Sequence, residues 1–170
     1  MRKAWNVVFE QGVTRMKSIY LETVMQLERL HRLFLEVLKT ELERLRIKDL
    51  SNVQAIILYN IGDATVTVSE ISARGYYLGS NASYNLKKML KCGYIEQKQS
   101  INDKRSVHIE LTEKGRTAYN HLCAFFASQM KSLPHNKLDE KTLVDFGEHG
   151  RKLEVFWTQQ LLHHSWPSFS

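Results

Sequence analysis

The chain has 170 residues, is 43% hydrophobic and carries a formal net charge of +6. That length fits one compact domain, or a domain with a dimerisation extension, and the basic balance favours anionic partners such as nucleic acid or an acidic membrane surface. The only cysteines, Cys92 and Cys123, stand far apart, which excludes a disulfide framework and a CxxC metal knuckle.

The apolar run Val7-Val8-Phe9 is too short for a signal-peptide core. No stretch approaches the ~18 apolar residues of a membrane span. The expectation is a soluble, cytoplasmic protein with no membrane partner. From about Val13 to Ile47, Met16, Tyr20, Val24, Leu27, Leu30, Phe34, Leu38, Leu42 and Leu45 recur at steps of three and four. This spacing predicts one long helix with a continuous apolar face. At ~1.5 Å per residue it is on the order of 50 Å long, more than one small domain covers. A partner helix or a second subunit is the expected cover; a core helix of a monomer is the other reading.

Ser51-Asn52-Val53-Gln54 is a capping-box pattern, followed by a helix that Gly62-Asp63 ends. Thr67-Val68-Ser69-Glu70 is a second capping box, opening a short helix that stops at Gly75. Gly79-Ser80-Asn81 opens the next helix, with Ala82, Leu86, Met89 and Leu90 on one face and Gly93 closing it. The period then falls to two. Residues 94–100 and 107–111 are the predicted strands of a hairpin, joined by the polar turn 101–105. A further helix starts at Thr112-Glu113-Lys114-Gly115, with Thr112 or its neighbour as cap, and Pro134 breaks it. A last helix is predicted over about 139–163, bent or broken where Gly147 and Gly150 fall inside it.

The architecture is therefore mainly α with a small β-hairpin wing: helix, helix, short helix, helix, two strands, helix, helix. Its centre is a helix-turn-helix with a hairpin attached. Opposite its apolar face, the helix of residues 80–92 shows Ser80, Asn81, Ser83, Tyr84, Lys87, Lys88 and Lys91. Short polar groups at a helix N-terminus reach base edges in a major groove, and lysines neutralise phosphates. Alone, this is better read as an ordinary amphipathic helix with a solvated basic face. The turn adds weight, since Lys87, Lys88, Lys91, Lys98, Lys104 and Arg105 face only Glu96 and Asp103 in that stretch. A tip carrying Lys104 and Arg105 suits the narrow, negative minor groove. Asp103 cannot touch phosphate; it braces Arg105 or caps the turn.

Residues 103–115, Asp-Lys-Arg-Ser-Val-His-Ile-Glu-Leu-Thr-Glu-Lys-Gly, resemble the wing signature D-x-R-S-x-x-x-x-L-T-x-x-G of the MarR family. Leu86, Met89 and Gly93-Tyr94-Ile95 match the end of that family's recognition helix, and the element order follows it over roughly 14–160. Residues 74–88 are similar to the alphaproteobacterial L,D-transpeptidase regulator branch. The resemblance implies a homodimer held by the first and last helices (13–47 and 116–163), with a DNA-binding lobe at 51–115. It implies a transcriptional regulator, a repressor or at times an activator, on pseudopalindromic double-stranded DNA, released by a small phenolic or aromatic effector. Arg105 would be the minor-groove arginine and Asp103 its brace. Tyr84 departs from the arginine of many relatives, which puts base preference in doubt. The other function class is a winged-helix protein–protein adaptor or a non-specific nucleic-acid binder.

The sequence offers nothing for other chemistry. No GxGxxG, Walker or GxSxG pattern occurs, and no enzyme is expected. No helical His-x-x-x-His pair is present, so no metal or cofactor is expected either. Redox sensing is a weak reading for Cys92, at a helix C-terminus that opposes a thiolate, and for Cys123, flanked by apolar residues.

Overall fold

In the computed structural model, the backbone is described for residues 2–75, 79–99 and 107–163, and side chains for 14–72, 82–98 and 107–162. The chain divides into two compact units, Met1–Cys123 and Ala124–Ser170.

The first unit begins with α1 (Arg2–Arg44), which starts well before the predicted Val13. Only its C-terminal part joins the core, through Leu38 and Leu42. The helix ends without glycine. Arg46 takes a left-handed φ of 58°, and the Ile47 N–H donates to the Leu42 carbonyl at 2.9 Å. This is the Schellman closure, in which a non-glycine residue bears a steric cost of roughly 1–2 kcal/mol.

The next helix, α2 (Asn52–Ile61), carries both halves of its predicted capping box: Gln54 N–H to Ser51 Oγ at 3.3 Å and Ser51 N–H to Gln54 Oε1 at 3.0 Å. Gln54 is only 1% exposed. Its remaining donor finds Asn85 Oδ1 at 3.2 Å, so a buried amide is satisfied by tying two helices together. Gly62, at φ 59°, closes the helix.

A two-residue strand that the periodicity does not predict, β1 (Val66–Thr67), comes next. It leads into α3 (Val68–Gly75), whose box is closed by Thr67 N–H to Glu70 Oε2 at 2.6 Å. Then come α4 (Gly79–Lys91), β2 (Ile95–Gln99) and β3 (Val107–Leu111). The sheet is antiparallel in the order β1-β3-β2. Ile95 faces Leu111 at one end of the hairpin and Gln99 faces Val107 at the other. Alternation places Ile109 and Leu111 in the core. Ile57, Ile61, Leu86 and Met89 are buried as well.

The second unit holds the end of α5 (Glu113–Ser132), a 3-10 turn at Pro134–Asn136 and α6 (Glu140–His163). Asp139 caps α6 by accepting from the Thr142 N–H at 2.8 Å. That hydroxyl and amide pair of Thr142 holds the Asp139 carboxyl below its usual value. The helix runs unbroken through Gly147 and Gly150, so no break falls there. An isolated glycine weakens a helix by ~1 kcal/mol but still donates and accepts its ladder bonds. No described residue of this unit is buried. Phe146, Val155, Leu161 and Leu162 all face outward.

Candidate nucleic-acid interface

The apolar spacing that makes α4 amphipathic also sets its two faces. Ala82, Leu86 and Met89 are buried, which turns Ser83, Tyr84, Lys87, Lys88 and Lys91 to solvent. Tyr84 is a large ring left 66% exposed. Lys87, Lys88 and Lys91 form no ion pair among the described residues. Ser80 and Asn81 lie on the first turn of α4, and their side chains are outside the described residues. Asp103, Lys104 and Arg105 also lie outside them.

Lys98 is a different case. It stands between Glu96, at 3.3 Å, and Glu110, which lies diagonally across the ladder opposite Glu96 and with which it is in direct ion contact. Its charge is neutralised within the hairpin, so the basic surface is narrower than the sequence count suggests. Met16, Tyr20 and Tyr59 are exposed.

The base of the hairpin explains the motif letters Leu-Thr-x-x-Gly. Thr112 caps α5, accepting from the Gly115 N–H at 3.1 Å, and its hydroxyl donates back to the Gly93 carbonyl at 2.6 Å. Its own N–H donates to the Tyr94 carbonyl at 3.1 Å. The start of α5 thus lies on the start of β2, and a Cβ on Gly115 would stand 1.9 Å from the Tyr94 carbonyl oxygen.

A second cluster at this base is invisible in the sequence. The Tyr94 hydroxyl donates to Asp49 Oδ1 at 2.6 Å, and Lys114 Nζ donates to Asp49 Oδ2 at 2.6 Å and to the Cys92 carbonyl at 2.8 Å. Lys114 also lies 4.1 Å from the Tyr94 ring centre, within cation–π range. The loop after α1, the end of α4, β2 and α5 are all joined through Asp49. Lys114 first, then the Tyr94 hydroxyl, hold the Asp49 carboxyl below its usual value; burial, then Asp49, push Tyr94 up. Because the folded value of Asp49 is depressed, its contribution is present at neutral pH and is lost as pH falls through that value. Tyr94→Phe removes one bond to a half-exposed carboxylate and is expected to lower stability by about 1 kcal/mol in urea denaturation.

Cys92 and Cys123 are free and half-buried. No group of histidines, cysteines and carboxylates that would hold a metal occurs among the described residues. No described helix is long and apolar enough to cross a membrane.

Comparison with known proteins agrees with this geometry. A winged helix DNA-binding domain family matches residues 50–115. The exopolysaccharide II synthesis transcriptional activator ExpG of Rhizobium meliloti is 37% identical over 142 residues, 81% of this chain and 71% of that protein. The Streptococcus pneumoniae FabT structure, in complex with DNA, is 29% identical, with TM-score 0.57 over 78% of this chain and 94% of that one. The Staphylococcus aureus MarR structure, in complex with salicylate and kanamycin, shares the fold at 19% identity, with TM-score 0.66 over 86% and 97% of the two chains.

Proposed function

The chain belongs to the MarR family of winged-helix DNA-binding transcription regulators, and from that premise we propose that it acts as a homodimer on a pseudopalindromic operator and answers to a small aromatic ligand. The observation that carries the reading is the face of α4: a buried apolar side fixes the helix, and three lysines with no ion pair among the described residues stand outward with Ser83 and Tyr84. In this reading Ser80, Asn81, Ser83, Tyr84 and Lys87 face the major groove and Lys88 a phosphate. Lys104 and Arg105 enter the minor groove, with Asp103 bracing the arginine. Residues 51–115 are the DNA-binding lobe.

Dimerisation through 13–47 and 116–163 is supported by what those helices leave uncovered. On α1, Met16, Leu21, Met25 (61% exposed) and Leu33 are all open, more apolar surface than a monomer ordinarily presents. Ligand response is supported by the salicylate in the Staphylococcus aureus relative's structure. The L,D-transpeptidase regulator branch rests on residues 74–88 alone, and the curated relative regulates exopolysaccharide synthesis instead. That relative is an activator. The same DNA grip gives either sign, according to where the operator lies relative to the promoter.

Footprinting on mapped genomic sites tests the reading. The expected result is a discrete protected palindrome bound by two chains, with half-sites centred ~10 bp apart. Uniform protection of any duplex would make the protein a non-specific binder instead, and no protection an adaptor. Affinity should fall steeply with salt, and Lys88→Gln in both protomers should flatten the log–log salt slope by about 2.

A further inference from the structure

Helix α2 buries Gln54 together with Ala55, Ile57, Leu58 and Ile61. An apolar side chain of similar volume would fill that place without the cost of taking an amide out of water. What an amide adds is direction. Gln54 Oε1 accepts from the Ser51 N–H at 3.0 Å, and its Nε2 donates to Asn85 Oδ1 at 3.2 Å. Asn85 is half-buried at the seam of α4, next in the chain to exposed Tyr84 on one side and buried Leu86 on the other. The start of α2 is tied in turn to α1, where Asn52 Nδ2 donates to the Leu35 carbonyl at 3.1 Å. Polar contacts therefore lead from α1 through the first turn of α2 to the middle of α4.

The apolar side of α4 holds the helix to the lobe more firmly than it sets its roll, because the burial of Ala82, Leu86 and Met89 has no direction. Roll matters at the opposite face. A turn of about 10° carries an atom about 6 Å from the helix axis through about 1 Å. That shift is enough to break a base-edge hydrogen bond of about 2.9 Å. Phosphate contacts tolerate it, since the stems of Lys87, Lys88 and Lys91 are long and flexible and follow the charge.

We propose that Gln54 is a positioning residue for operator recognition: through Asn85 it fixes the roll of α4, and it sets how well one sequence is told from another rather than how tightly DNA is held. This role rests on the operator-binding reading above. Gln54 reaches no base itself, being 1% exposed beneath the helix it steadies.

Fluorescence anisotropy of the full chain, on a mapped operator and on a scrambled duplex of the same length, tests the role. Gln54→Met keeps the side chain long and unbranched but removes both directed bonds. It is expected to lower the ratio of operator to scrambled affinity by roughly tenfold or more. Affinity for the scrambled duplex should stay within about twofold, with the same salt slope. Asn85→Ala, at a half-buried position, should lower the ratio in the same way. The double variant should be no worse than either single one, because both act through one bond. Ser51→Ala is the control for stability: it loses the hydroxyl that caps α2 and should melt lower, yet it leaves the bond to Asn85 and should keep the parent's ratio. An unchanged ratio for Gln54→Met, additive losses in the double variant, or an equal loss for Ser51→Ala overturns the proposal. A parent chain that binds both duplexes alike refutes operator recognition itself. A parent that discriminates, beside a Gln54→Met chain that discriminates as well, refutes the role of Gln54 alone.

Discussion

Arg105→Ala is expected to weaken operator binding by about 10- to 100-fold per half-site while leaving the melting temperature unchanged. A guanidinium in a narrow minor groove makes charge-assisted hydrogen bonds in a strongly negative, poorly hydrated space. Such bonds are worth about 1.5–3 kcal/mol each, and 1.4 kcal/mol is a factor of ten. Lys98 strengthens the case for this one residue: its charge is held by Glu96 and Glu110, so the strands of the hairpin bring no free cation of their own among the described residues. Lys104→Ala should cost less, because a phosphate contact is uniform across sequences and salt-screened. Asp103→Ala should fall between them, since it frees the arginine without removing it. Fluorescence anisotropy with a mapped operator reads all three. Unchanged affinity for Arg105→Ala would refute the minor-groove role.

Gly115→Ala is expected to be the most destabilising single change in the DNA-binding unit, at roughly 3 kcal/mol. Two effects oppose each other. Alanine is the better helix former by about 1 kcal/mol, and position 115 is inside a helix. Against that, its methyl would stand 1.9 Å from the Tyr94 carbonyl oxygen and 3.3 Å from Leu111 Cβ. The first neighbour is backbone, pinned by the Thr112 N–H at 3.1 Å, so no rotamer change relieves the overlap. Steric overlap wins, and α5 must lift from the start of β2. For a chain of this size the melting temperature should drop by roughly 6–12 °C. Gly150→Ala is the matched control. Among the described residues of one chain nothing lies within 4 Å of its added methyl, so within a chain propensity alone acts, and stability should rise by up to about 1 kcal/mol. Calorimetry that showed the same sign for both would refute the close approach at Gly115.

Features whose cause is local were legible in the sequence. The boxes Ser51–Gln54 and Thr67–Glu70 close within four residues, and both form as read. The change of period at Tyr94 announced the hairpin, and alternation placed Ile109 and Leu111 inward. Strand β1 was not legible, because two residues carry no periodicity and Val66 becomes a strand only by pairing with Ile109. The cluster on Asp49 escaped for the same reason, its partners being 45 and 65 residues away. Lys98 was counted as a surface cation because its neutralising partner, Glu110, sits across the sheet. Gly115 was legible as a motif letter, but its reason, a carbonyl oxygen beside it, needed the fold. The exposed face of α4 followed directly from its buried one, so Ser83, Tyr84, Lys87 and Lys88 stand where the spacing put them.

The first helix also has a mechanical consequence. It is a rod of about 65 Å, and the loop that follows it is bonded to the hairpin base at Asp49. Treated as a lever pivoting there, it has one very long arm and one very short one. A 6 Å swing of its far tip amounts to only about 5° at the pivot over that length. Jostling at the distant end is thereby geared down before it reaches the wing. A small displacement turns the pivot through a large angle only when it is applied close to the fulcrum, within a few residues of Asp49.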